Sequence, residues 1–308
     1  MSLIVKIGGA RGIGGDALLD DLARSAGERR RLVIVHGGSD ATTRLQERLG
    51  EPARMVTSPS GHESRVTDRT ALEAYAMATA LVNRQLVEGL QARGVRAFGI
   101  SGLDGALVRA RRKPSMRALV DGRTRVLRDQ WTGRPVGVDG ALLDTLLDAG
   151  LVPVVAPLAA GAEGEMLNVD GDRIAAALAA GISAESLLIL TNVPGLLEDP
   201  TREESLVTSV PFAELDSAEA LARGRMRRKL LGAREALEGG VGRVILGDAR
   251  RAHAVTDALA GAGTTLSGPA PSPTPAPADD VAPDDAQHAN RLRAFTSGPL
   301  TPRRRIRS

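Results

Sequence analysis

The chain has 308 residues, a formal charge of +3, 43% hydrophobic and 2% aromatic residues, and no cysteine. That length is ample for a real core, as one large domain or two smaller ones, and so small a charge gives no argument for a nucleic-acid partner. The missing cysteine excludes disulfides, iron–sulfur ligation and thiol catalysis; with no basic, apolar leader and no long apolar run, a soluble cytoplasmic protein is expected.

In chain order, apolar periodicity predicts a strand at 3–7, a helix at 16–28, a strand at 32–35 and a helix at 40–49. A β-hairpin is expected over 53–66, then a long helix over 68–93. The helix start is marked by Thr67-Asp68, with Thr70 and Glu73 spaced as a capping box. A strand at 97–100 leads into a second hairpin over 106–128 with Asp121-Gly122 as its turn. Helices at 138–149, 171–181, 222–238 and 250–260 then alternate with strands at 152–156, 187–190 and 243–246. Such alternation implies an α/β fold with a largely parallel sheet covered on both faces. From Ser267 the composition turns proline-rich, with acidic pairs at Asp279-Asp280 and Asp284-Asp285 and a basic tip from Arg303 to Arg307. Such a segment buries too little apolar surface to order itself, so residues 267–308 are expected to be a disordered, solvated tail.

Only three lysines stand among forty basic residues. Lys113 lies in an arginine-rich run and reads as a surface residue. Lys6 closes an apolar strand just before Gly8-Gly9, where a buried charge needs an anionic partner. Lys229 opens a helical pattern in Gly224-Arg225-Met226-Arg227-Arg228-Lys229. An ammonium is a compact point charge on a flexible stem and can follow a phosphoryl group in transfer, whereas a guanidinium is a planar fork. Gly8-Gly9 and Gly37-Gly38 each follow a strand, at the carboxyl edge where α/β sheets bind ligands. Each pair alone fits a tight turn, or backbone N–H groups aimed at an anion. Neither is a P-loop, and Gly12-Ile13-Gly14-Gly15 lacks dinucleotide-fingerprint spacing. In Asn168-Val169-Asp170-Gly171-Asp172, either aspartate caps the following helix, or one carboxylate sits between the two lysines. Arg65, just before a helix start, is a surface residue or a bidentate clamp for a carboxylate. His62 reads as solvated, and four scattered histidines give neither metal-site spacing nor a Ser-His-Asp set.

Seven motifs in order carry a specific likeness: Val5-Lys6-Ile7-Gly8-Gly9, His36-Gly37-Gly38, Ser64-Arg65-Val66-Thr67-Asp68, Ile100-Ser101-Gly102-Leu103-Asp104-Gly105, Asn168-Val169-Asp170-Gly171-Asp172, Thr191-Asn192-Val193-Pro194-Gly195-Leu196 and Gly224 through Lys229. Residues 1–266 resemble the amino acid kinase superfamily, in its acetylglutamate kinase branch. The resemblance implies a three-layer αβα sandwich around a mostly parallel, eight-stranded sheet. It implies an acceptor-binding half over about 1–160 and an ATP-binding half over about 161–266. On the residues, it implies that Lys6 and Lys229 stabilise the transferring phosphoryl group while Asp172 orients both. Gly8, Gly9, Gly37 and Gly38 would donate backbone N–H groups to the phosphoryl group and the acceptor carboxyl. Arg65 would clamp the acceptor's second carboxylate and Asn168 its amide end. Asn192, Val193, Pro194, Gly195, Leu196 and Met226 would flank the nucleotide, with Mg²⁺ held by the phosphates and no metal site in the protein.

The approach Ser58-Pro59-Ser60-Gly61, the lead from Leu103-Asp104-Gly105 into arginine-rich 109–113, and the Asn168–Asp172 run itself are similar to the carrier-protein-linked subgroup. Its members phosphorylate the side-chain carboxylate of α-aminoadipate or glutamate attached to a small acidic carrier of the LysW type. A basic hairpin of Arg109, Arg111, Arg112, Lys113 and Arg117 would steer such a carrier, or is an ordinary solvated hairpin. The rival acceptor is free N-acetylglutamate, and a non-catalytic nucleotide sensor is the rival of another class. With strand one starting at residue 3 there is no preceding helix for hexamer assembly, so a homodimer without arginine feedback is expected.

Overall fold

Aliphatic strands that read as continuous apolar runs end up buried on both faces, because helices cover both sides of the sheet they build. The computed structural model describes residues 2–9, 15–28, 31–59, 61, 63–120, 123–222 and 224–268. The proline-rich tail from Pro269, the Asp121-Gly122 turn, the Gly12-Ile13-Gly14 stretch, Ser60 and His62 lie outside the described residues.

The elements, in chain order, are β1 (Ser2–Ile7), α1 (Asp16–Gly27), β2 (Arg31–His36), α2 (Ser39–Arg48), β3 (Met55–Thr57), β4 (Glu63–Arg65) and α3 (Arg69–Gln91). There follow β5 (Ala97–Gly102), β6 (Val108–Val120), β7 (Arg123–Val138), α4 (Gly140–Asp148), β8 (Val152–Ala160), β9 (Met166–Asn168), α5 (Gly171–Gly181) and β10 (Ser186–Thr191). The chain closes with β11 (Ser209–Pro211), α6 (Leu215–Leu221), α7 (Gly224–Glu238), β12 (Arg243–Asp248), α8 (Ala254–Leu259) and β13 (Thr264–Ser267). The main sheet runs β11-β13-β12-β10-β1-β2-β8-β5, and it is parallel from β12 through β5. β13 lies antiparallel to β12, and β11 runs with β13. A side sheet of β9, β7, β6, β3 and β4 extends from β8. This is the three-layer, mostly parallel arrangement that the resemblance implied.

Side-chain alternation in β1 decides where its lysine points. Leu3, Val5 and Ile7 pack with Leu18 and Leu22 of α1 and Leu86 and Leu90 of α3. Ile4 packs on the other face with Ile174 and Leu178 of α5 and Leu230 of α7. Successive side chains on a strand face opposite ways, so Lys6 shares the face of Ile4 and looks toward α5 and α7. By the same parity His36 shares the face of Ile34, toward α3.

Several expected details are corrected. The second hairpin does not end at 128. β7 continues to Val138, its register with β6 shifting near Arg109/Ala110 and Lys113/Ser115. Thr70 and Glu73 form no capping box. Asp68 caps α3 by accepting from the Ala71 N–H at 2.9 Å, and Glu73 pairs with Arg69 instead. β13 runs through Ser267, one residue past the expected end of the folded unit.

Candidate active site

At the carboxyl edge of β1 and β2 the two glycine pairs meet backbone to backbone. A Cβ on Gly9 would lie 2.7 Å from Gly38 N, and one on Gly37 would lie 2.6 Å from Gly9 N. No side chain fits in that gap, which is why glycine occupies both positions. The Gly37 N–H donates to Ile7 O at 3.0 Å, locking the two loops together. Beside them α5 begins. Asp170 is its N-cap, accepting from the backbone N–H of Asp172 at 2.9 Å and of Arg173 at 3.4 Å. Capping by Asp170 leaves the carboxylate of Asp172 free for another task.

That carboxylate takes up both lysines. Lys6 Nζ lies 2.6 Å from Asp172 Oδ1, and Lys229 Nζ lies 3.3 Å from Oδ2. The contact at Oδ1 is an ion pair rather than an aligned hydrogen bond. Lys6 and Asp172 are buried and Lys229 nearly so, with side-chain exposures of 9%, 8% and 11%. Lys229 reaches the site because α7 packs closely on the start of α5, with Gly232 against Asp172. Burial works against ionising Asp172, but the charges of Lys6 and Lys229 outweigh it and hold the carboxyl well below its ordinary range. Burial and then repulsion from Lys6 lower the Lys229 ammonium, against the opposing pull of Asp172. Two cations on one anion leave a net positive charge facing the glycine loops, which suits a phosphate.

On the α2–α3 side, the Arg65 guanidinium donates to Gln46 Oε1, to Ser39 O at 3.1 Å and to Thr43 Oγ1 at 2.7 Å. Three of its five donors are thus spent on α2, leaving two for a carboxylate. Asn168 Nδ2 donates to Thr67 Oγ1 at 3.4 Å. Past β10, Asn192, Val193 and Pro194 stay at or near the surface, while Gly195 and Leu196 turn inward. The Leu196 N–H donates to Thr264 Oγ1 at 2.8 Å, and its side chain joins the core, against which Met226 also packs. Lys113 is exposed, as read from the sequence.

Sequence reasoning missed the two large aromatic side chains beside this site. Tyr75 of α3 and Trp131 of β7 pack in one cluster with Leu72, Leu158 and Met166, the last in β9, the strand that ends at Asn168. The Trp131 backbone N–H donates to Thr67 O at 2.8 Å, and the Arg112 and Arg69 guanidiniums lie over its ring, 3.7 and 5.1 Å from the centroid. Burial pushes the Tyr75 phenol up, the Asp170 charge adds to the rise, and Arg65 opposes it. The phenol is therefore a neutral group between a carboxylate and a guanidinium. One signal was available: in a chain with 2% aromatics, these are the only tyrosine and the only tryptophan.

Comparison with known proteins gives the family. The profile of the amino acid kinase family matches residues 1–248. The chain belongs to the amino acid kinase family. A LysW-aminoadipate kinase of Deinococcus radiodurans is 48% identical over 266 residues, covering 86% of this chain and 91% of its own length. A LysW-aminoadipate kinase of Thermus thermophilus is 46% identical over 267 residues, covering 86% of this chain and 99% of its own. Among solved structures, an N-acetylglutamate synthase from Neisseria gonorrhoeae, complexed with coenzyme A and N-acetyl-glutamate, matches with a TM-score of 0.70 at 26% identity. That match covers 87% of this chain and 60% of the synthase chain. In this amino acid kinase, the buried lysine–aspartate–lysine cluster and the glycine pairs share one sheet edge.

Proposed function

We propose that the protein transfers the terminal phosphoryl group of ATP to the side-chain carboxylate of α-aminoadipate or glutamate carried on a small acidic LysW-type protein, forming an acyl phosphate in lysine or arginine biosynthesis. The observation that carries the reading is the buried Lys6–Asp172–Lys229 cluster beside the paired glycines. Phosphoryl transfer asks the protein mainly to position reactants and neutralise charge spreading over the phosphoryl oxygens. Lys6 and Lys229 would supply that charge, held in position by Asp172 between them. The N–H groups of Gly8, Gly9, Gly37 and Gly38 would receive phosphoryl and acceptor oxygens. The remaining Arg65 donors would hold the acceptor's second carboxylate, with Asn168 and neutral Tyr75 beside its amide. Asn192, Val193 and Pro194, with Gly195, Leu196 and Met226 behind them, would flank the nucleotide in the half formed by about 161–266.

Asp172 is committed to two lysines, and the described residues hold no cluster of three or more His, Asp or Glu side chains. Mg²⁺ would accompany the nucleotide on its phosphates.

The choice of a carrier-linked acceptor rests on the two relatives' names and on β6 and β7. Arg109, Arg111, Lys113 and Arg117 stand exposed there, a basic arm suited to an acidic partner. Arg112 is less available, donating to Gln130 O at 2.8 Å and stacking on Trp131. A homodimer is part of the proposal. Met77 and Leu81, four residues apart on one face of α3, are 53% and 60% exposed. Such a strip suits a twofold contact. Among the described residues no helix is long and apolar enough to cross a membrane. We place the enzyme in the cytoplasm.

The test is ATP-dependent hydroxamate formation with four acceptors: carrier-linked aminoadipate, carrier-linked glutamate, N-acetylaminoadipate and N-acetylglutamate. Higher kcat/KM on the carrier-linked forms is expected. A preference for free N-acetylglutamate would reassign the acceptor, and no turnover with any of the four would reject the kinase reading.

A further inference from the structure

His36 ends β2 immediately before the Gly37-Gly38 turn and is 1% exposed, on the face opposite Lys6. Asn83 of α3 reaches the same corner: its Nδ2 lies 2.7 Å from Val154 O, 3.2 Å from His36 Nε2 and 3.4 Å from Ile100 O. A carbonyl oxygen only accepts, so Val154 fixes the Asn83 amide with its NH₂ toward this corner. The imidazole nitrogen facing that NH₂ must then be an acceptor, which leaves the ring proton on Nδ1. Nδ1 lies 3.0 Å from Gly37 O, and its N–H donates there.

In a planar trans peptide the C=O of one residue and the N–H of the next point in opposite directions. Holding Gly37 O against the imidazole therefore turns the Gly38 N–H to the far side, where Gly9 packs. The Gly38 N–H has no acceptor among the described residues. α3 guards the arrangement from behind, with the Thr79 methyl 2.4 Å from where a Gly38 Cβ would stand.

We infer that His36, held in its neutral Nδ1–H form by Asn83, is a positioning residue that acts through the Gly37 carbonyl to present the Gly38 N–H to the transferred phosphoryl group. The inference rests on the kinase reading above. Burial lowers the imidazole to about 4, the Gly37 hydrogen bond opposes that, and the Lys6 charge reinforces it. Lys6 of β1 is the charged group that bears on the ring; α3 and β8 bring the Asn83 amide and the Val154 carbonyl, which do not titrate. A second proton would set Nε2–H against the Asn83 NH₂, donor against donor, and add a cation near Lys6. The ring thus holds the loop without competing for the phosphate.

Nitrogen-15 spectra of histidine-labelled wild-type protein should show His36 protonated at Nδ1 and unchanged from about pH 8 to about pH 5, whereas an exposed histidine titrates near 6.5. An Nε2-protonated ring, or titration near 6.5, would overturn the inference without touching the kinase reading. In turnover, His36→Leu should lower kcat by about 10–100-fold with the KM for ATP unchanged, the range for losing a group that orients a working partner. His36→Asn, whose side-chain NH₂ stands near the place of Nδ1–H, should restore most of kcat. Equal loss in both variants tracking a lowered Tm would mean a purely structural role and reject the inference. A wild type that is active alongside an equally active His36→Leu rejects it too. A wild type inactive on all four acceptors rejects the kinase reading and the catalytic role together.

Discussion

Replacing Asp172 by asparagine removes one charge and almost no volume, and it leaves the backbone N–H that Asp170 caps intact. At an effective dielectric of about 20, contacts of 2.6 and 3.3 Å correspond to gross attractions of about 6 and about 5 kcal/mol. Desolvation of three buried charges offsets most of that, so a loss of about 3–5 kcal/mol in unfolding free energy is expected from stranding two ammonium groups. Catalysis should suffer separately. Without that anion, Lys229 keeps only the smaller pull of Asp170 against burial and the repulsion of Lys6, so its already lowered pKa falls further. If the charged form is needed, activity is present below that pKa and lost as pH rises through it. The alkaline limb of the kcat–pH profile should therefore move to lower pH in Asp172→Asn, with kcat down by about 10²–10³ at its optimum. Hydroxamate trapping across pH, with urea melts alongside, reads both effects. Near-wild-type kcat with an unmoved alkaline limb would refute the idea that Asp172 holds the lysines for catalysis.

Gly37→Ala would put a methyl 2.6 Å from Gly9 N, so the glycine loops must part; steady-state kinetics should show a kcat/KM loss of about 10²-fold or more. Stability should fall in acid. His36 is lowered from an ordinary 6.5 to about 4, so the unfolded chain binds its proton first, and about 3 kcal/mol of stability is lost as pH drops through that window. Urea midpoints at a series of pH values check this, and the slope should shrink in His36→Asn. Reversing Arg111 and Lys113 to glutamate should raise KM for a carrier-linked acceptor and spare N-acetylglutamate, the signature of docking rather than chemistry. Leu81→Asp should shift the sedimentation coefficient from dimer to monomer, since it sets a charge on the exposed α3 strip.

The sequence made the centre of the site legible for physical reasons. A lysine at the end of a buried strand in an arginine-dominated chain demands an anion, and Lys6 finds Asp172. Which aspartate would cap α5 was open, because both stand at capping distance; the fold gives the cap to Asp170. The extent of β7 was not legible, since Gly133 and Pro135 lower strand propensity and only pairing with β6 and β9 holds the segment extended. β11 and β13, at three and four residues, exist through their neighbours rather than their own pattern. Tyr75 sits mid-helix in an apolar stripe and reads as core. Only the fold brings Asp170 and Arg65 to its ring. The tautomer of His36 depends on a carbonyl in β8, remote in sequence from both β2 and α3.

A crystal structure with a non-hydrolysable ATP analogue tests the central claim most directly. Lys6 Nζ and Lys229 Nζ should both lie within about 3 Å of oxygens of the terminal phosphoryl group, with Asp172 still between them. A terminal phosphate bound elsewhere, with either lysine turned away from it and still paired only to Asp172, would contradict the account.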